Sequence, residues 1–347
     1  MSRNNLYIAI FLSIILAGVN PHKGFAQIDY RFSQFLQNPV PVNPAFSGIE
    51  DFVDLKLGYR TQWAGFDNAP TSMFLSGNMA LRITPGNNFK DRGVRIFEAN
   101  AYNEKENDNE FGYRKGNRSG LGFYMLQNKD GGFNNLAVFA NYAYHLRITN
   151  QLIWSVGVGF GYEYNKFDPS GISVLNPTND PTYQSYLKNE NTKSNININV
   201  GTIIYHRQFY LGYSAINAGT FNLSGDNTTY NSQVTQLTQT AQIGFNYRWR
   251  YGYLITPGVL VRMRPESPIE VIGTLRGRIH DRVWGGLQYT YLGSVGLSLG
   301  GYITPNIGFN YAYNFPTSQL SRATAGSHEV ILAIKLKNKN YSRAYLW

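Results

Sequence analysis

The sequence predicts an all-β protein: a transmembrane antiparallel up-and-down β-barrel of about fourteen strands, preceded by an extended N-terminal segment. Three observations predict this fold. Apolar and polar residues alternate with a period of two along much of the chain, as in strands with one apolar face. Tyrosine and glycine are abundant (26 and 35 residues) while only 15% of residues are charged, which suits aromatic girdles and a small-residue lumen. Short and long connections alternate, as in bacterial outer-membrane barrels.

Residues 1–26 have the pattern of a cleavable signal peptide. Arg3 supplies a positive charge, residues 6–19 are almost uniformly apolar, and residues 24–26 place small side chains where signal peptidase reads. We therefore expect the mature chain to begin at Gln27 and to be exported to the outer membrane. The alternative, a retained membrane anchor, is disfavoured because the apolar run is shorter than the ~20 residues of a spanning helix.

The composition excludes several classes of protein. With no cysteine, the chain has no disulfide framework and no thiolate metal site or nucleophile. The formal net charge of +10 falls to +8 when Arg3 and Lys23 leave with the signal peptide. A basic balance can indicate nucleic-acid binding, but the chain has no basic-aromatic recognition motif, and export argues against it. We therefore predict that the protein contacts outer-membrane lipid and binds no nucleic acid.

The clearest alternation lies at residues 152–165. Even positions from Leu152 to Tyr164 are apolar, and odd positions from Ser155 to Asn165 are small or polar, so one face would contact lipid and the other the lumen. The same pattern recurs along the chain. We predict strands near residues 54–63, 70–82, 119–128, 133–148, 151–167, 194–205, 207–217, 237–250, 252–264, 268–278, 282–292, 294–303, 306–315 and 328–337.

The lengths of the connections predict an orientation. Short turns at 149–150, 206–207, 251–252, 279–281 and 304–305 fall on one side, and the long connections 168–193, 218–236 and 316–327 on the other. Periplasmic turns are the short ones in such barrels, so both ends of the chain are expected in the periplasm. A charged insert at 83–118 breaks the pattern there. It is either a solvated loop, a strand pair that runs past the membrane, or a periplasmic docking element. Residues 338–347 form a C-terminal extension.

Motifs that resemble catalytic sites have simpler explanations. Residues 296–300 match the G-x-S-x-G pattern of serine hydrolases, but that motif needs a strand-to-helix turn, and here it lies within a predicted strand. The histidines have no metal-ligand spacing. We therefore predict no enzymatic activity, no catalytic or metal-binding residues and no cofactor.

Basic residues recur on the inward face near the predicted periplasmic ends of the strands, and inward acidic residues such as Glu163 and Glu270 are fewer. This pattern fits either a hydrated rim that balances counter-ions, or a basic mouth that attracts an acidic partner. The candidate residues are Arg248, Arg250, Arg276, Arg278, Lys335 and Lys337, which Lys56 and Arg60 of the first strand join.

The segment before the first strand, residues 27–53, carries two sequence motifs together with the strand that follows it. The first reads Phe-Ser-Gln, then Asn-Pro, then Asn-Pro-Ala with a following glycine, and the second reads Arg-x-Gln-Trp-x-Gly with a later proline. Together they resemble the PorP/SprF family of type IX secretion system membrane proteins from the Bacteroidetes. The residues that carry the resemblance are Phe32, Ser33, Gln34, Asn38, Pro39, Asn43, Pro44, Ala45, Gly48, Arg60, Gln62, Trp63, Gly65 and Pro70.

The resemblance implies a non-enzymatic accessory of the type IX secretion and gliding machinery. Such a barrel would associate with periplasmic ring components and support the export or surface anchoring of a cognate adhesin through the adhesin's C-terminal domain. A passive pore or small-molecule transporter remains the alternative, because inward glycine and asparagine permit an open lumen. The N-terminal segment either folds into the barrel as a plug or forms an exposed docking strip.

Overall fold

A computed structural model of the chain describes residues 32–50, 52–66, 68–83, 94–95, 117–149, 151–168, 178–179, 184, 192–223, 236–250, 253–265, 267–280, 282–291, 293–317 and 324–336. The signal-peptide prediction, most of the insert at 83–118, Lys337 and the C-terminal extension lie outside these residues. The side chain of Arg250 also lies outside the described part.

The described chain forms strands and one short 3-10 helix, Pro44–Phe46. The strands are β1 Val53–Thr61, β2 Thr71–Ile83, β3 Val94–Arg95, β4 Arg118–Asp130, β5 Phe133–Arg147, β6 Leu152–Phe167, β7 Thr192–His206, β8 Phe209–Asn222, β9 Thr238–Phe245, β10 Tyr247–Arg250, β11 Tyr253–Met263, β12 Glu270–Ile279, β13 Val283–Thr290, β14 Ser294–Thr304, β15 Ile307–Pro316 and β16 Ser327–Leu336. None of the helices in the described residues is long and apolar enough to cross a bilayer.

Fourteen antiparallel strands close into a barrel, which confirms the predicted fold. Each wall strand pairs with the next along the chain, and β1 pairs with both β2 and β16. The β1–β16 seam runs over nine residue pairs, from Val53 opposite Leu336 to Thr61 opposite His328. Because every wall strand has two neighbours, the sheet leaves no open edge, as a barrel surrounded by lipid requires.

Alternation along the strands gives the wall an apolar outside and a polar inside. Phe160, Leu297 and Leu299 project outward and are more than half exposed, whereas the inward Asn197 and Ser155 are fully buried. A water-soluble sandwich would show the opposite arrangement. The outer face is therefore suited to lipid, and the inner face must find its hydrogen-bond partners within the lumen.

Two details of the wall differ from the predicted strands. The strand predicted at 237–250 is interrupted at Asn246, so that β9 and β10 both pair with β11. Pro257 on β11 lies at this gap and has no N–H to donate to a neighbour. The Thr256 hydroxyl donates to Asn246 Oδ1 across the gap, at 3.1 Å. In addition, the two-residue strand β3 lies within the insert and pairs antiparallel with the last two residues of β2.

The two ends of the barrel differ in their connections. The short-turn end carries the connections 148–151, 207–208, 251–252, 280–282 and 305–306 and the insert between β2 and β4, and the long-loop end carries the connections 62–70, 131–132, 168–191, 223–237, 264–269, 291–293 and 317–326. Leu336, the last described residue, lies at the short-turn end. The chain enters the described region near the long-loop end, where Ser33 contacts Glu329 close to the start of β16.

Candidate functional site

Residues 32–50, here called the luminal segment, lie inside the barrel. Their apolar side chains pack with inward residues of the wall strands, and those on the segment are Phe35, Leu36, Val40, Ala45, Phe46 and Ile49. Polar atoms of the segment bond to β2, β4, β5, β6, β7, β8 and β16. The segment therefore crosses the lumen from near the long-loop end to the short-turn end, in contact with much of the wall's circumference.

Asn43 and Pro44 start the 3-10 helix and fasten it to the wall. Asn43 is the N-cap, and its Oδ1 accepts from the Ala45 N–H at 2.9 Å, while Pro44 occupies the first helical position, where no N–H is needed. The Asn43 amide nitrogen donates to the backbone carbonyls of Thr202 and Tyr213, at 3.1 and 3.3 Å. One side chain thus satisfies the turn and ties it to β7 and β8.

A chain of hydrogen bonds holds the far end of the luminal segment. His145 Nε2 lies 2.8 Å from the Ser47 carbonyl oxygen, and the Tyr205 hydroxyl lies 3.1 Å from His145 Nδ1. Because the carbonyl only accepts, Nε2 carries the proton and Nδ1 accepts from Tyr205. Arg118 donates both to that hydroxyl, at 3.1 Å, and to the Ile49 carbonyl, at 2.8 Å. Each of these four hydrogen bonds therefore joins a donor to an acceptor.

The carboxylate of Glu329 joins the start of the luminal segment to the seam. Its Oε2 accepts from the Ser33 N–H at 2.8 Å, from the Ser33 hydroxyl at 2.7 Å and from Arg60 Nη1 at 2.9 Å. Glu329 is fully buried, so this charge is stable only with such partners. The contact connects the first motif, the first strand and the last strand.

The loop 62–70 fastens the seam at the long-loop end. The Trp63 N–H donates to the Ser327 hydroxyl at 3.2 Å, and Ala64 exchanges backbone hydrogen bonds with Gly326 and Ala325, each at 2.8 Å. The Gln62 N–H closes the loop on the Pro70 carbonyl at 2.8 Å. Gly65 is exposed with φ +102°, a conformation that favours glycine.

Comparison with known proteins identifies the family. The family model of the type IX secretion system membrane protein PorP/SprF matches residues 24–334. The chain belongs to the PorP/SprF family. No curated protein matches the sequence.

Among solved structures, the chain is similar to the deltaS2 mutant of the monoaromatic hydrocarbon channel TodX, with 8% identity over 86% of this chain and 92% of that chain and a TM-score of 0.44. It is also similar to the outer membrane protein Omp33 of Acinetobacter baumannii, with 9% identity over 84% and 99% and a TM-score of 0.42. A third is the CymD monoaromatic hydrocarbon channel, with 11% identity over 90% and 94% and a TM-score of 0.41.

The motif residues of this PorP/SprF protein are mostly internal. Phe32 packs edge-on against Phe74 with ring centroids 4.5 Å apart, and Asn38 Oδ1 accepts from the Ser76 hydroxyl at 2.9 Å. The Pro39 carbonyl accepts two backbone bonds, and Gln34 and Ala45 are buried. The second motif continues into the loop 62–70, where Gly65 and the neighbouring Phe66 are exposed.

Gly48 brings the luminal segment against the wall. Its φ of +73° is in the left-handed region, and its N–H donates to Asn78 Oδ1 at 3.3 Å. A Cβ here would lie 2.8 Å from the Met79 carbonyl oxygen, closer than a side chain can approach. Glycine is therefore required at position 48 of the family motif for two reasons: its backbone conformation, and the lack of space for a side chain.

The candidate basic residues are dispersed. Arg276, Arg278 and Lys335 are buried inside the wall, whereas Arg248 is exposed. Lys335 Nζ lies 4.1 Å from the Tyr302 ring centroid and 4.9 Å from that of Phe52, a cation–π contact within the barrel. Lys56 forms a buried ion pair with Asp54. Arg276, Arg278 and Lys335 therefore lie inside the barrel, with Lys335 beside Phe52 just after the luminal segment.

Ser298 of the G-x-S-x-G match lies within β14, opposite Gly286 and Ala312, without the strand-to-helix turn of a hydrolase. Within the described residues, no group of three or more histidine, aspartate or glutamate side chains is placed to hold a metal ion.

Gly157 should be intolerant of a side chain, because a Cβ there would meet the backbone of Pro44 and Ala45. We expect Gly157→Ala to destabilise the barrel by about 1–3 kcal/mol and to lower the temperature at which it loses its compact migration on a gel. Gly277→Ala is the matched control, since a Cβ at Gly277 meets nothing within 4 Å. Equal unfolding temperatures of the two variants would contradict the packing of the luminal segment against β6.

Arg60 and Glu329 should be coupled energetically. Arg60→Met leaves the buried carboxylate without its cation and should cost about 3–5 kcal/mol of unfolding free energy. The double variant Arg60→Met/Glu329→Gln removes both charges and should recover most of that loss. Urea unfolding of the four proteins in a double-mutant cycle measures the coupling, and additive losses would show that the two side chains act independently.

Proposed function

We propose that this PorP/SprF protein is a non-conducting, non-enzymatic accessory of the type IX secretion machinery in the outer membrane, and that it supports the export or surface anchoring of a cognate secreted adhesin. The observation that supports this proposal is the luminal segment, which fills much of the barrel and is bonded to strands on many sides. A pore needs a continuous water path, whereas an anchor needs a rigid, closed barrel.

In this proposal the short-turn end faces the periplasm, because periplasmic turns are short in bacterial barrels. The insert at 83–118 follows β2 at that end and is the candidate element for docking to periplasmic ring components. The long-loop end faces the exterior and engages the C-terminal domain of the adhesin. We place only the C-terminal end of the barrel on the periplasmic side, because Ser33, near the start of the described chain, lies near the long-loop end.

A deletion strain tests the secretion role. We expect loss of this protein to remove one or a few large adhesins from the cell surface while membrane permeability stays nearly normal, because the closed barrel is not a route for solutes. Surface proteomics of the deletion strain and of the complemented strain measures the effect. A surface proteome that is unchanged by the deletion would refute the accessory role, whatever the state of the lumen.

Conductance separates the anchor from the pore. In planar bilayers the purified full-length barrel should give no steady channels, because residues 32–50 occupy the lumen. A variant in which residues 34–48 are replaced by a short glycine-serine linker should conduct, since a barrel of this strand number then holds a water path. Steady, large channels from the unaltered protein would favour the pore. Gly277→Ala protein prepared in parallel controls for contaminating porins.

A further inference from the structure

A cavity of about 40 Å³ lies inside the barrel, between residues 33–37 of the luminal segment and the inner wall of β12 to β15. We call it the arginine cavity, after Arg276 in its wall. The space exists because small residues line this part of the wall, namely Gly286, Gly296 and Ala312. A buried water molecule needs about 10–15 Å³ of such space, so the cavity has room for a small ion together with a water molecule.

The guanidinium group of Arg276 brings a buried positive charge to this cavity. Arg276 is an inward residue of β12 and is 5% exposed. In the amide orientation that satisfies its neighbours, Gln37 Oε1 accepts from Arg276 Nη1 at 3.3 Å, but this partner is neutral. Arg276 is in none of the ion pairs formed by the described residues. A buried charge is stable only beside an opposite charge, so a counter-charge is expected within reach of Arg276.

The acidic side chains of the interior do not supply this counter-charge. Arg278, on the same face of β12, lies in a cluster with two carboxylates and two lysines: Glu50, Asp54, Lys56 and Lys335. Three basic residues there already outnumber two acidic ones. Glu329 lies at the level of Arg276 but four strands away, and it pairs with Arg60 at 2.9 Å. Among the described side chains, Arg276 therefore adds to a local excess of positive charge.

The arginine cavity also collects N–H donors without partners. Gln34 Nε2, Arg276 Nε and Asn314 Nδ2 are buried and make no hydrogen bond, and all three residues line the cavity. Gln34 is 7% exposed and Asn314 is 3% exposed. Buried donors in native proteins are almost always paired. Three such donors around one cavity therefore indicate a ligand that accepts hydrogen bonds, and the unpartnered Gln34 Oε1 indicates a water molecule beside it.

The combination of charge and donors selects an anion over water or a cation. Water molecules accept from N–H groups, but they leave the charge of Arg276 uncompensated in a medium of low dielectric constant. A cation would be repelled by the guanidinium group. A small monovalent anion accepts several hydrogen bonds and neutralises the charge, and hydrogen bonds to an ionised group are the stronger ones.

We propose that the arginine cavity binds a small monovalent inorganic anion, such as chloride, through Gln34, Arg276 and Asn314. The anion joins the start of the luminal segment to β12 and β15. Asn43 and His145 fasten the segment on the opposite side of the barrel, to β5, β7 and β8. The inference goes beyond the proposed function, because it makes the packing of the luminal segment depend on an ion and does not depend on any partner protein.

Unfolding of the full-length barrel in defined anions tests the site. The protein is refolded from urea into detergent with sodium chloride, sodium bromide or sodium isethionate at equal ionic strength, so that the ion is present while the barrel closes. We expect chloride and bromide, but not the bulky isethionate, to raise the folded-to-unfolded ratio in a saturating manner. The rise should be about a hundredfold at 100 times the dissociation constant. Equal stability in all three salts, as for a cavity that holds only water, would overturn the proposal.

Matched variants separate a specific site from a general salt effect. Arg276→Met should abolish the halide effect, and in isethionate it should be at least as stable as the parent protein, because it removes a buried charge that lacks a counter-ion. Arg248→Met removes the same charge from an exposed side chain and should keep the full halide effect. Equal halide dependence of the two variants would overturn the assignment to Arg276.

A second variant tests the site without a change of charge. Asn314→Ala removes one donor and should weaken halide binding by about tenfold or more, the loss of one hydrogen bond to a charged group. It keeps the proposal falsifiable if Arg276→Met does not fold, because an unchanged halide affinity of Asn314→Ala would contradict the proposed ligands.

Crystals grown in sodium bromide locate the ion directly. We expect an anomalous difference peak in the arginine cavity, between the side chains of Gln34, Arg276 and Asn314. Peaks on the outer surface alone would mean an adventitious ion only and would overturn the proposal, as would crystals without any bromide peak. Loss of the halide effect would leave the secretion role standing, since the deletion strain tests that role without reference to the ion.

Discussion

The hydrogen bonds to Glu329 connect the luminal segment to the closure of the wall. All neighbouring wall strands except one pair follow each other along the chain, but β1 and β16 meet over a separation of 269 residues between Arg60 and Glu329. Closing so long a loop costs conformational entropy. The buried carboxylate offsets part of that cost, because it takes donors from Ser33 and from Arg60 at once. Ser33, at the start of the luminal segment, is therefore part of the closed seam.

Filling the lumen changes the kind of core that the barrel has. Strand alternation alone would produce an apolar outside and a wet, polar inside. Here the luminal segment adds apolar side chains to the interior, and Phe46 packs edge-on against Tyr210 with centroids 6.1 Å apart. Small residues of the wall, such as Gly157 and Gly201, admit the segment's backbone and the Asn43 side chain. The interior thus combines a packed apolar centre with hydrogen-bonded ends.

The strands could be predicted from the sequence because alternation is a local signal. The pairing of the luminal segment could not, because its partners are distant: Glu329 and Ser33 are separated by 296 residues. His145 had only one indication of a structural role, a polar residue at an inward position of a predicted strand, and Arg118 had none, because it was assigned to the insert and not to β4. The break at Asn246 escaped prediction because Pro257, which explains it, lies on the neighbouring strand. Periodicity locates strands along the sequence, but it does not predict which residues of the luminal segment contact which strands.

The internal position of the family motifs bears on how such a barrel can recognise partners. Asn43, Gly48 and Arg60 bond to the chain itself through a side-chain amide, a backbone N–H and a guanidinium group, so these groups are not available to a partner in the closed barrel. In the proposed function, partners are therefore recognised by other parts of the chain, namely the connections of the long-loop end and the insert after β2. The described residues that identify the family therefore act mainly as a scaffold, which holds the luminal segment and the seam together.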